Sequence, residues 1–367
     1  MAGQNTYFLG VMDMQRIILS SVLGLFVLAQ TGCQMVVVNG KSLEGMQGVR
    51  LVRPNDPITG PCWAKDAYDG SWGRSGQIDG NTRQADPCRI KYHSSYSANR
   101  WMAVEGKLGN GRKYPVVLDT GASIALFVND IHILENKLAI CPLKSNSGDS
   151  VGWGRCHLPK LHLGQVTLVN WPCFYREQHT EVQLLGLPLA RGKAVIAGLA
   201  ALRRFKYIAF DSVTKEVEFS LEKVFESGQS DSWAQYSLLI EEDLGGNVFL
   251  FVKIPIGGQE TELQLDTGSG RGLAIAEELW VRMRDKIQHV KLRKGRDLYP
   301  YIGSLACKRA VVPELQVGDR TVKNAKISVF PNDSPLVEQC AGLLGMQYFQ
   351  DTVMVLDFER NLMWVKG

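Results

Sequence analysis

Hydrophobic and polar positions alternate over long stretches of this chain, and glycine-bearing turns break the alternation. The segment "WMAVEGKLGNGRKYPVVLD", from Trp101 to Asp119, gives an alternating run, a tight turn at Gly109–Gly111 and an apolar run into an Asp. The segment "NVFLFVKIPIGGQETELQLD", from Asn247 to Asp266, repeats that order about Gly257 and Gly258. Each reads as a β-hairpin whose second strand delivers an Asp into a loop. Short helices are predicted near Ala200–Phe205 and Ala274–Met283. In the latter, Ile275, Leu279 and Met283 fall at i, i+4 and i+8 and form a core-facing stripe.

The halves correspond beyond these hairpins. "AVIAGLAALRRFKYIAFDSVTKEVEF" (Ala194–Phe219) matches "AGLLGMQYFQDTVMVLDFERNLMWV" (Ala341–Val365). Both give an apolar run into Gly, a short amphipathic helix, a strand ending in Asp, a turn and a closing strand. Asp119 and Gly198 are 79 positions apart, and so are Asp266 and Gly345. From those glycines to Asp211 and Asp357 is 13 and 12 positions. Between the landmarks, "LHLGQVTLVNWPCFY" and "LQVGDRTVKNAKISVF" each read as two strands about a turn. A repeat kept in register over this distance predicts two copies of one supersecondary unit. The fold class expected is all-β, mostly strands with short helices. The predicted organisation is a leader over 1–33, an N-terminal extension over 34–98, and repeats over 99–222 and 235–367. The joint "EKVFESGQSDSWAQ" (Glu222–Gln235) is polar and turn-rich, as a linker should be.

Composition narrows the function classes. The chain has 367 residues, 45% of them hydrophobic, enough for two or three domains of ordinary size. A formal charge of +4 is too mild to imply nucleic acid, and the basic run Lys291–Arg296 reads as a solvated turn. Near the N-terminus, Ile17–Ala29 is an apolar stretch of 13 residues. A spanning helix needs about 20, so this length suits the core of an export signal. Thr31, Gly32 and Cys33 resemble a bacterial lipoprotein signal with Cys33 as the acylated residue, although Gln30 stands where an aliphatic residue is usual. A cleaved signal, a lipid anchor at Cys33 and an apolar anchor running on to Val38 are the three readings, with translation starting at Met1, Met12 or Met14. Each expects an exported protein, in the cell envelope or periplasm or otherwise secreted, with membrane attachment, if any, through the N-terminus. In such a compartment cysteines usually pair. Local spacing suggests Cys62–Cys88, Cys141–Cys156 and Cys307–Cys340, with Cys173 free. A zinc set from Cys141, Cys156, His157, His162 and Cys173 lacks the tight spacing of structural zinc sites, so no metal and no cofactor are expected.

Asp-Thr-Gly after an apolar strand has a mechanical meaning. The strand end carries a carboxylate out of the core, Thr can hydrogen-bond backbone without adding charge, and Gly permits close approach. Gly198 and Gly345 would let a second strand pass beneath each Asp loop.

The doubled signatures "VVLDTGAS" with "AVIAGLAAL" and "LQLDTGSG" with "GLLGMQYF" resemble those of retropepsin-like and pepsin-like aspartic proteases. The resemblance covers both repeats, as two tandem retropepsin-like units in one chain, and not the N-terminal segment. It implies a bilobal aspartic-protease fold, two homologous acid-protease lobes with a cleft between them. It implies that Asp119 and Asp266 are a catalytic dyad, supported by Thr120, Gly121, Ser123, Thr267, Gly268, Gly198 and Gly345. The Ser123 hydroxyl would bond the neighbouring Asp, which Gly270 in the second copy cannot do. Trp153 and Tyr301 are the flap candidates. The activity implied is that of an aspartic endopeptidase, with a peptide or protein as its substrate and water activated between the two carboxylates. Two carboxylates about 3 Å apart repel by roughly 5 kcal/mol at an effective dielectric near 20, so such a pair holds one proton in common. The alternative from a different class is a non-catalytic peptide- or envelope-binding module on the same fold. The short joint favours pairing within one chain, hence a monomer with one site.

Overall fold

The computed structural model describes residues 33–39, 50–51, 77–78, 86–94, 101–143, 153–176, 178–184, 187–228, 232–243, 247–284, 287, 290–299, 303–337 and 340–367. Four short strands come first: β1 (Cys33–Asn39), β2 (Arg50–Leu51), β3 (Gln77–Ile78) and β4 (Cys88–Lys91). The first half then runs β5 (Ala103–Leu108), β6 (Lys113–Asp119), β7 (Leu126–Val128), helix α1 (Asp130–Asn136) and β8 (Ala139–Leu143). It continues with β9 (Trp153–Leu163), β10 (Val166–Arg176), β11 (Gln178–Leu184), β12 (Leu187–Arg191) and β13 (Val195–Gly198). Helix α2 (Leu199–Leu202), β14 (Tyr207–Asp211) and β15 (Glu216–Ser220) close it. The second half opens with β16 (Trp233–Glu242), β17 (Val248–Ile256), β18 (Gln259–Asp266), β19 (Leu273–Ala276) and helix α3 (Glu277–Arg284). There follow β20 (Arg293–Tyr299), β21 (Gly303–Val317), β22 (Arg320–Phe330) and β23 (Gly342–Gly345). A 3-10 turn at Met346–Phe349, β24 (Val353–Asp357) and β25 (Leu362–Lys366) end the chain. The protein is all-β with a few short helices.

Strand order makes the internal repeat explicit. In the first half the neighbours run β9-β5-β6-β13-β7-β10, and a β9–β10 ladder closes the ring. In the second they run β21-β17-β18-β23-β19-β22, where β21 pairs both β17 and β22. Each position has its equivalent, with the same strand directions. β6 with β13 and β18 with β23 are parallel, and the next pairs, β13 with β7 and β23 with β19, are antiparallel. Closure removes exposed edges and gives each half an interior, filled by the inward residues of alternating strands. β5 buries Ala103, Val104, Gly106 and Leu108 and exposes Glu105 and Lys107, as its hydrophobic pattern requires.

The halves are joined by a third arrangement of strands. β14 pairs antiparallel with β24, Tyr207 facing Asp357 and Asp211 facing Val353. With β15, β25, β16 and β4 these form one continuous ladder. Here the repeat is again visible residue by residue. Asp211 Oδ1 accepts the backbone N–H groups of Val213 and Thr214, and Asp357 Oδ1 accepts that of Arg360. Four residues beyond each Asp, Lys215 and Asn361 take positive φ, 61° and 54°. These are the side-chain-capped turns that the strand-final Asp residues supply. A single buried cluster, from Met102 through Leu118 and Leu265 to Val365, runs through both halves.

Several local expectations change. Ala274–Ala276 is the end of β19 rather than the start of a helix, so α3 begins at Glu277; Ile275 is buried from a strand, Leu279 and Met283 from the helix. Leu-Ala-Ile-Ala has helical propensity, but pairing with β22 on one side and β23 on the other overrides it. The basic residues of the run at Lys291–Arg296 are exposed as expected, but the run is no turn: from Arg293 it forms β20, paired with β21. The disulfides are also corrected, since Cys88, Cys141, Cys156, Cys173, Cys307 and Cys340 are free thiols. Cys156 faces Cys173 across the β9–β10 ladder, whereas its expected partner Cys141 faces Arg155. Cys307 faces Gly295 across the β20–β21 ladder, and Cys340 Sγ reaches Leu336 O at 3.9 Å. Proximity in sequence misled because cross-strand register, not separation along the chain, decides which thiols meet. Cys62 and the leader expected at Ile17–Ala29 lie outside the described residues, while Cys33 is the first residue of β1, paired with Leu184.

Candidate functional site

Each half carries its Asp on the last residue of a parallel central strand. Asp119 ends β6 and faces Gly198 of β13; Asp266 ends β18 and faces Gly345 of β23. Those two glycines have no room for a side chain. A Cβ on Gly198 would sit 2.1 Å from Ile124 O, and one on Gly345 would sit 2.3 Å from Arg271 O. Their N–H groups bind the same loops, Gly198 donating to Ala125 O and Gly345 to Gly272 O. The loop after each Asp is thus pinned from beneath by the strand that follows it.

The two loops meet through their threonines. Thr120 Oγ1 donates to Leu265 O at 2.6 Å, and Thr267 Oγ1 donates to Leu118 O at 2.6 Å. Each hydroxyl also accepts the other threonine's backbone N–H, at 3.0 and 3.1 Å. Both threonines are fully buried. Every donor and acceptor in this square is satisfied by the opposite half, which makes removal of one partner costly.

Above the square the carboxyl groups cross over. A Cβ on Gly121 would lie 2.7 Å from Asp266 Cγ, and one on Gly268 would lie 2.3 Å from Asp119 Cγ. Each glycine therefore makes space for the other half's carboxyl. Asp119 Oδ1 accepts the N–H groups of Gly121 and Ala122 at 2.9 and 3.2 Å. The two carboxyls hydrogen-bond each other, and the nearby Gly268 backbone N–H favours the charged form of both. Burial raises the Asp119 carboxyl above its usual range. Burial, then the charge of Asp119 and the bond to it, holds Asp266 well above that range. One proton on the pair satisfies the bond between them and halves the buried charge, so the pair titrates as a unit. Chemically the pair offers a donor and an acceptor side by side, on loops whose residues Ala122–Ile124 and Ser269–Arg271 are only partly buried.

The other expected residues fall as follows. The Ser123 hydroxyl donates to Asn247 Oδ1 at 3.3 Å rather than to Asp119, whose Oδ1 is already occupied by two backbone N–H groups. Trp153 begins β9, opposite Arg176 and Leu143, and Tyr301 lies outside the described residues. Sequence reasoning missed Tyr299, Arg271, Asp297 and Arg309. Tyr299 Oη is buried without a hydrogen-bond partner among the described residues, and the side chain feels the charges of both Asp266 and Asp297. The period-2 placing of Asp297 and Tyr299 on one face of "GRDLY" was the available signal.

No family model matches this chain, and no curated protein matches it. Among solved structures it is similar to basic 7S globulin from soybean, at 11% identity over 76% of this chain and 94% of that one, with a TM-score of 0.41. It is also similar to conglutin gamma, a basic 7S globulin from lupine seeds, at 10% identity over 77% and 95% of the two chains, with a TM-score of 0.40. These findings correct the protease resemblance. These two structures are seed globulins, and no family model or curated protein places the chain among aspartic proteases. The endopeptidase activity that the resemblance implied falls with it. Likeness at these TM-scores carries no functional argument in its place.

Proposed function

We propose that the protein binds an extended peptide over the Asp119–Asp266 pair. The observation that carries this reading is the pair itself: two carboxyls from different halves, bonded to each other and each held above the usual carboxylate range. A protonated carboxyl donates and an ionised one accepts. A peptide unit presents the complement, a carbonyl that accepts and an N–H that donates. The pair therefore recognises main chain, independent of side-chain identity, on the partly open face of the two loops. On sequence alone we read the chain as exported, with Ile17–Ala29 as the apolar part of its leader or anchor, and as a monomer carrying one such site.

Peptides displayed on phage and selected on the purified protein test this. Selected peptides should lose roughly tenfold or more in affinity on Asp266→Ala, because a hydrogen bond to a charged group is worth about 1.5–3 kcal/mol. Selection that yields no peptide, or peptides indifferent to Asp266→Ala, would sink the proposal. Fragments released from the selected peptides by the parent but not by Asp119→Asn would overturn its non-catalytic character.

A further inference from the structure

Beside the second loop the protein gathers positive charge around one buried anion. Asp297, on the inward face of β20, is fully buried. Its Oδ1 accepts Arg271 Nη1 at 2.7 Å and Arg309 Nε at 2.9 Å, and its Oδ2 accepts the Ser328 hydroxyl at 2.5 Å. Two guanidinium groups thus share a single carboxylate, and their side chains stay 41% and 48% exposed. Arg271 commits one of its five N–H donors there, leaving most of its fork without a partner among the described residues.

A cleft of about 140 Å³ opens at this point, lined by Arg271, Lys326, Ser328 and Gln347 with the backbone of Gly270 and Gly272. Gly272 keeps it narrow-walled, since a Cβ there would fall 2.3 Å from the Tyr348 ring. The cleft begins four residues after Asp266, and the buried Tyr299 feels the charges of both Asp266 and Asp297. Arg271 and Arg309 supply two positive charges against the one of Asp297, and Lys326 adds its ammonium to the lining. At the equivalent point of the first half, Ser123 and Ile124 stand where the second half has Gly270 and Arg271.

We propose that this cleft is an anion subsite of the same peptide site, taking the carboxylate of an acidic side chain or of a chain terminus on the fork of Arg271. The proposal rests on the peptide reading above and adds a charge preference to it. A planar guanidinium matches a carboxylate with two parallel hydrogen bonds, which a lysine cannot reproduce. The buried Asp297 fixes the fork in place before the ligand arrives.

The test uses the full chain and selected peptides made in matched forms, Glu against Gln at each position and free against amidated C-terminus. One Glu-to-Gln change should weaken binding roughly tenfold or more at low salt, with the effect shrinking as ionic strength rises. If amidation alone produces the loss, the carboxylate is the terminus. In Arg271→Gln the ratio between matched forms should collapse to within about twofold, and in Arg271→Glu it should reverse in favour of a Lys peptide. Equal affinity of all matched peptides for the parent would overturn the subsite while leaving peptide binding intact. Should no peptide bind, the peptide reading fails and glutarate decides the subsite alone. A rise in Tm with glutarate that is absent from Arg271→Gln supports it, and equal shifts in both proteins overturn it.

Discussion

At the residue scale, the carboxyl pair and His132 pull the stability of the protein in opposite directions with pH. Asp119 and Asp266 are both raised, chiefly by burial. Below the ordinary carboxylate range the pair costs nothing. As pH climbs above it, the unfolded chain releases protons that the folded pair retains, and stability falls until the pair itself ionises. His132 has the reverse sign. It is wholly buried, accepts Asn129 N–H at Nδ1, and faces Lys193 O through Nε2. Burial lowers it to about 4, so stability is lost as pH falls below the ordinary histidine value of about 6.5 towards 4. Asp266→Asn should isolate the first contribution, because His132 is common to both proteins. Urea denaturation should find Asp266→Asn more stable than the parent near pH 7, by about 1.4 kcal/mol for each pH unit of raised pKa, and the two equal near pH 3. A variant less stable than the parent at neutral pH would mean that the proton is not held as described.

At the scale of elements, the strand that follows each Asp loop is as important as the loop. Gly198→Ala puts a methyl group 2.1 Å from a backbone carbonyl of the Ile124 turn. Neither backbone can swing aside, so β13 must shift away from the Ala122–Ile124 loop and withdraw the N–H that holds Ala125 O. A loss of roughly 3 kcal/mol or more is expected, in the upper tail for single substitutions. A melting curve that moves by only a degree or so would contradict the close approach. This contact was legible in the sequence, because equal spacing from Asp119 to Gly198 and from Asp266 to Gly345 marked both glycines before any fold was known. The hairpins about Gly109–Gly111 and Gly257–Gly258 were legible for the same reason, an alternation interrupted by residues that only turns favour. What escaped was set by register between strands distant in sequence. "KLRKGRDLY" looks like a charged turn until its pairing with β21 turns Asp297 inward and brings Arg309 to it. Thiol neighbours escaped likewise, because Cys156 meets Cys173 only once β9 lies on β10.

At the scale of the whole molecule, the β14–β24 ladder and the threonine square tie the halves at two levels, so they should melt together. Leu344, fully buried in β23, belongs to the second half. Leu344→Ala should cost about 2–5 kcal/mol and displace one calorimetric transition as a unit. Two resolved peaks, only one of them displaced, would show that the halves unfold separately.

The crossing of the threonines makes the centre indivisible. Thr120 completes itself on Leu265 and Thr267 on Leu118, so one unit standing alone would hold neither its hydroxyl nor its carboxyl in place without a twin. A change at either threonine therefore disturbs both loops at once, whereas a change at Arg271, off the axis, is felt on its own side of the molecule.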